Sequence, residues 1–115
     1  MAFSDFETHR YTKIVKEYVE SHRPPPEIRK ELDLGYLLED QSFVIYETRP
    51  RYKKPDETLE SPVFKTTFVR TSDDWKILWM RSDLKWHTYD PDPVIDSLEE
   101  ALEVLEADEL ACFFG

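Results

Sequence analysis

The chain has 115 residues, 40% of them hydrophobic and 14% aromatic, with a formal net charge of −10 and one cysteine, Cys112. This length suits a single domain over residues 1–115, and the apolar content supplies a core and excludes wholesale disorder. A lone cysteine excludes a disulfide framework or a thiolate metal cluster, and no apolar run reaches the roughly 18 residues that cross a bilayer.

The opening MAFSDFETHR carries acidic residues where a signal peptide would be apolar, so a cytoplasmic location is expected. The charge is unevenly spread. From Asp90 onward there are nine acids and no Lys or Arg, whereas the first 89 residues hold 16 acids against 15 bases. Long-range attraction to nucleic acid or an anionic membrane is therefore disfavoured for the chain as a whole.

In chain order, residues 5–22 read as a helix. Ser4 or Asp5 can cap it, and Tyr11, Ile14, Val15, Tyr18 and Val19 recur at helical spacing. Prolines 24–26 end it, because each pushes its predecessor out of helical dihedrals. Leu32, Leu34, Tyr36 and Leu38 then alternate with polar or small residues, EDQS at 39–42 makes a turn, and Phe43–Thr48 forms the returning strand. Proline and charge dominate 49–62, which reads as a mobile surface loop. Val63–Arg70, Trp75–Arg81 and Leu84–Tyr89 follow as strands joined by turns at 71–74 and 82–83. A helix near 94–110 closes the order, with Asp92 or Asp96 at its start and Val94, Leu98, Ala101, Leu102 and Leu105 as its apolar stripe. The expected fold is α+β: about five antiparallel strands between residues 28 and 89, flanked by an N-terminal and a C-terminal helix.

The turn lengths suggest a register. A four-residue turn at 71–74 pairs Phe68 with Ile77, and a two-residue turn at 82–83 pairs Trp79 with Trp86. One face then gathers Phe64, Phe68, Ile77, Trp79, Leu84 and Trp86 for burial against the helices. The other face carries Lys65, Lys76 and Lys85 around Leu78, Met80, His87 and Tyr89. An apolar patch rimmed by polar groups marks a contact surface, although lysine stems also cover ordinary half-apolar sheets.

Three stretches, ETRPRY at 47–52, WKILWMRSDLKWHTYDP at 75–91 and CFFG at 112–115, resemble a small bacterial family known as domain-of-unknown-function family 3024. The likeness runs from about residue 28 onward, with DLKWH, Tyr89 and Pro91 its most specific part. It implies a stand-alone bacterial domain and brings no activity, cofactor or partner with it.

Chemistry offers little. His87 could act as a general base oriented by Asp83 or Asp90, with Arg81 or Arg49 holding an anion, yet in the register above these groups do not converge. No nucleophile elbow is present, and Cys112 stands in the apolar run LACFFG, so no catalytic residue is assigned. His87, Asp90, Asp92 and Asp96 form an acidic string interrupted by Pro91 and Pro93, where a calcium loop needs glycine; no metal ligand set is assigned. With only Gly35 and Gly115, neither a P-loop nor a dinucleotide fingerprint can be built, and no cofactor is expected. Arg49, Arg51, Lys53 and Lys54 around Tyr52 would suit single-stranded nucleic acid, but the acidic C-terminal segment opposes it. By elimination the expectation is a non-enzymatic module that binds a protein partner or pairs as a homodimer. It would use Lys65, Lys76, Leu78, Met80, Lys85, His87 and Tyr89, with Arg49 and Arg51 nearby and the acidic helix as its opposite pole. A small enzyme or small-ligand binder built on His87, Tyr89 and Arg49 is the alternative.

Overall fold

The computed structural model describes residues 3–108 and 112–113. Its elements run α1 (Asp5–His22), β1 (Asp33–Glu39), β2 (Ser42–Arg51), β3 (Lys54–Val69), β4 (Asp74–Met80), β5 (Trp86–Thr88), β6 (Val94–Ile95) and α2 (Leu98–Ala107). The α+β class and the helix over 5–22 agree with the sequence reading.

Helix α1 begins with a reciprocal cap. The Glu7 N–H donates to Ser4 Oγ at 3.1 Å, and the Ser4 N–H donates to Glu7 Oε1 at 2.9 Å, so two donors at the helix start are satisfied. The helix ends at Arg23, whose extended backbone (φ −65°, ψ 141°) is what the following proline demands. Arg70 reaches back to the same cap, with Nη2 2.9 Å from Glu7 Oε1. That guanidinium pulls the Glu7 carboxyl down to about 2.

The sheet is an antiparallel meander, β1-β2-β3-β4-β5, with β6 returning to pair β4 on the edge that β5 also uses. One face packs on the helices. Phe43, Ile45, Phe64, Phe68, Trp75 and Ile77 are buried there against Val15 and Val19 of α1 and Leu98, Ala101, Leu102 and Leu105 of α2. Thr66 is also wholly buried on this face. It is tolerated because its hydroxyl donates to the Lys76 carbonyl at 2.9 Å. Phe3 and Phe113 close the two ends of the core: Phe3 lies against Tyr11, Phe43, Phe68 and Trp75, and Phe113 against Phe64 and Tyr89.

The structure departs from expectation in three places. First, 49–62 is not a loop: β2 and β3 continue as a paired ribbon to a tight turn at Tyr52-Lys53. Pro50 and Pro62 are compatible with this because β1 pairs β2 only as far as Thr48 and β4 pairs β3 only from Phe64. Each proline thus stands where its strand has one neighbour, and an N–H can be dispensed with.

Second, α2 is shorter. Val94 and Ile95 are strand β6, and Ser97, not Asp92 or Asp96, caps the helix by accepting from the Glu100 N–H at 3.1 Å. Val94 is consequently exposed instead of joining the helix stripe, and residues 109–110 of the expected helix lie outside the described residues.

Third, the register differs on both sides of β4. The β3–β4 turn occupies 70–73, so Phe68 pairs with Trp75 and Thr66 with Ile77. That slip is by an even number of residues and preserves the faces, but it brings Trp75, 2% exposed, to the centre of the core. At β4–β5 the slip is odd, and the faces exchange.

Candidate interaction surface

The odd slip comes from one residue. Arg81 and Lys85 bracket a three-residue turn, with the Arg81 N–H donating to the Lys85 carbonyl at 3.2 Å and the Leu84 N–H to the Arg81 carbonyl at 2.9 Å. Leu84 takes a left-handed backbone, φ 62°, the conformation that completes three-residue hairpin loops. Its side chain is left 81% exposed, not buried with the core as the two-residue turn required. With the extra residue, Trp79 pairs with His87 and Met80 with Trp86. Trp86 therefore leaves the helix side and His87 joins it.

The face turned away from the helices is built in rows. Leu37, Val44, Lys65, Leu78 and Thr88 are successive cross-strand partners. Beside them run Ser42, Thr67, Lys76 and Val94, with Ser42 Oγ and Thr67 Oγ1 2.7 Å apart. Met80 and Trp86 form the other flank. Val44 is buried without belonging to the helix-side core, because Leu37, Lys65 and Leu78 wall it in; Leu37, Leu78, Met80 and Trp86 remain partly exposed. The Lys65 ammonium sits 5.7 Å from the centre of the Trp86 ring, a cation–π distance. At the end of this face Tyr46 lies across Gly35. A Cβ on residue 35 would come within 2.6 Å of the Tyr46 ring, so any side chain there requires the ring to shift, and burial pushes the Tyr46 phenol upward in pKa.

Of the expected contact residues, Lys65, Lys76, Leu78 and Met80 share this open face. Trp86, which alternation alone had assigned to the core, joins them. Lys85 is exposed in the turn, where its N–H donates to Asp83 Oδ1 at 2.9 Å. His87 is on the helix side, with Nε2 2.8 Å from Asp83 Oδ2. That hydrogen bond, helped by the Lys85 N–H, holds the Asp83 carboxyl below its ordinary value. Tyr89 is 2% exposed, packed against Phe113, and takes no part in a surface. Arg49 and Arg51 stand on the β2–β3 ribbon. His87, Tyr89 and Arg49 thus occupy a sheet edge, the core and the ribbon, and do not form one site. No group of three or more His, Cys, Asp or Glu among the described residues could hold a metal ion.

A second constellation was invisible in the sequence because it joins residues 88 positions apart. The Tyr18 hydroxyl donates to Glu106 Oε2 at 3.1 Å, His22 Nε2 lies 2.7 Å from the same oxygen, and the His22 ring stacks on Tyr18 at 4.0 Å. Burial, then the Glu106 hydrogen bond, pushes the Tyr18 phenol upward in pKa, so it remains a neutral donor. Beside it Arg23 makes a two-pronged pair with Asp33, at 2.9 and 2.8 Å. Of these groups His22, Asp33 and Glu106 border a cleft of about 370 Å³ that Leu32, Leu34 and Glu47 also line. Every polar group named here except Glu47 is engaged in tying α1 to α2 or to β1, and the cleft reads as a clasp between elements.

The family model for a domain of unknown function, DUF3024, matches residues 3–115, and the chain belongs to that family. The match takes in α1, which the motif likeness from residue 28 had left out. A search of curated proteins and of solved structures returned no match. No helix among the described residues is long and apolar enough to cross a membrane.

Proposed function

We propose that this chain is a protein-interaction module whose open sheet face is the contact surface. What supports the reading is the one-sided covering of the sheet: α1 and α2 both pack on the Phe43–Ile45–Phe64–Ile77 side, and no described element lies over the other. A partly exposed apolar band of Leu37, Leu78, Met80 and Trp86 beside Lys65 and Lys76 has the anatomy of a contact patch, with apolar and charged groups side by side. Neither lysine has an ion-pair partner among the described residues. Their charge would complement a partner that brings carboxylates beside apolar groups, which governs orientation and association rate more than final affinity.

The test is affinity capture from the native host with three baits: the wild-type chain, Lys65→Glu/Lys76→Glu, and Trp86→Ser. A protein retained by the first and lost by about tenfold or more with the other two, all three baits melting cooperatively, is the expected outcome. Equal recovery by all three baits would remove the open face from consideration.

A further inference from the structure

We propose that the helix-side face of the β2–β3 ribbon is the seat for α2 of a second copy, so that two chains exchange arms about a twofold axis. Beyond Thr48 in β2 and Pro62 in β3 the ribbon has neither β1 nor β4 beside it. It overhangs the rest of the molecule and contributes to its elongated shape of 46 × 29 × 23 Å. Residues 51–54 and 56–60 are all exposed. A two-stranded ribbon on its own is marginal in water. This one orders its backbone and buries almost nothing in return, which is the condition of a surface that completes itself on a partner.

The face it offers can be read from the ladder. Ile45 points into the core, so alternation puts Glu47 and Arg49 on the same side, and Arg49 pairs with Leu59. Leu59 is 47% exposed and Tyr52, at the tip, 95%. Arg49, Arg51, Tyr52, Lys54, Glu57 and Leu59 line an open concavity of about 510 Å³. The seat therefore sets the apolar side chain of Leu59 among four cations, Arg49, Arg51, Lys53 and Lys54, with the Glu57 carboxylate between them. Intramolecular pairing only partly offsets the cations: Arg51 and Lys54 share Glu57 at 3.4 and 4.0 Å, Arg49 is 3.6 Å from Glu47, and Lys53 has no ion pair among the described residues.

The occupant follows from charge. The outward side of α2 carries Glu99, Glu100 and Glu103, all exposed, and its last turn has no basic residue. The last turn of α2 thus brings no lysine or arginine to the negative end of its own dipole, and the arm of a second copy brings four. Each chain has one arm and one acidic helix, so a reciprocal contact closes as a dimer and does not run on as a fibre. The open sheet faces remain free in both copies, and the arm contact stands or falls independently of them.

Native mass spectrometry and sedimentation over a range of protein concentration and salt test this, with circular dichroism to verify folding. The wild type is expected to be a dimer that loosens as salt rises. Arg49→Glu/Arg51→Glu/Lys53→Glu/Lys54→Glu and, separately, Glu99→Lys/Glu100→Lys/Glu103→Lys should each dimerise more weakly by a factor on the order of 100. An equimolar mixture of the two variants should recover a heterodimer, because each arm then meets a helix of opposite sign. If the quadruple change disturbs the arm itself, Leu59→Asp alone tests the same seat through its apolar side chain. A wild type that stays monomeric throughout, a dimer indifferent to arm reversal, or a mixture that remains monomeric would each overturn the proposal. So would a monomer whose arm cations shift a labelled oligonucleotide, which would assign the ribbon to nucleic acid.

Discussion

The two faces of the sheet are made from alternate residues of the same strands, yet they are governed by different physics. The helix side is closed: aromatic rings from α1, the sheet and Phe113 interlock, and its polar member, Thr66, has its hydrogen bond. The open side leaves Leu37, Leu78, Met80 and Trp86 partly in contact with water and relies on lysine stems and one cation–π contact for cover. Composition does not separate them, since each has aliphatic residues and a tryptophan. Register does, and register is decided in the turns.

The sharpest way to break this comparison is a matched pair of tryptophan replacements. Trp75→Ala should cost roughly 3–5 kcal/mol in urea unfolding, as for a large aromatic removed from a sealed core. Trp86→Ala should cost about 1 kcal/mol, the ordinary loss for a partly exposed side chain. Comparable losses at the two sites would mean that the open side is closed after all.

Next in size, Gly35→Ala should destabilise by about 1–3 kcal/mol, because the new methyl meets the Tyr46 ring at 2.6 Å. Adding Tyr46→Ala should abolish most of the further penalty, and a double-mutant cycle with no coupling would refute the contact. Leu84→Gly works in the opposite direction. Relief of a left-handed leucine backbone should raise stability by about 1 kcal/mol, read as a higher denaturant midpoint at unchanged slope. A loss on that substitution would argue that the exposed Leu84 side chain is held by something.

The smallest effect carries a pH signature. The Glu7 carboxyl, 4.5 when free, is held at about 2 by Arg70 and the helix cap. Its contribution to stability is therefore complete above 4.5 and lost as pH falls toward 2. Glu7→Gln should be less stable than wild type near neutrality, and the gap should close over that acidic window. A gap that stays constant would place the stabilisation elsewhere.

Much of the architecture was legible in the residues themselves. Helical spacing, the Ser4 cap and three prolines defined α1, and the α+β order followed from alternation. What escaped were two features that local preference opposes. A charged, proline-rich 49–62 reads as a loop unless it is known that Pro50 and Pro62 each fall on a strand edge with no neighbour to serve. Likewise no propensity rule puts a leucine at positive φ, so the turn at 82–84 looked one residue shorter than it is. That single residue moved Trp86 onto the open face and His87 off it, so that Lys65, Lys76, Leu78 and Met80 share the face while His87 does not.

The clasp between Tyr18, His22 and Glu106 has a consequence for how the chain reaches this fold. Helix α1 is made before the groups that hold it: its C-terminal partner lies in α2, and its N-terminal cap is joined by Arg70. Such distant closures make for slow, non-local folding. During synthesis α1 emerges as an amphipathic segment with Val15 and Val19 uncovered, and it has no completed surface to rest on until the sheet and α2 have also left the ribosome. The nascent protein is thus most dependent on protection early, through a helix that in the finished molecule is among its best anchored parts.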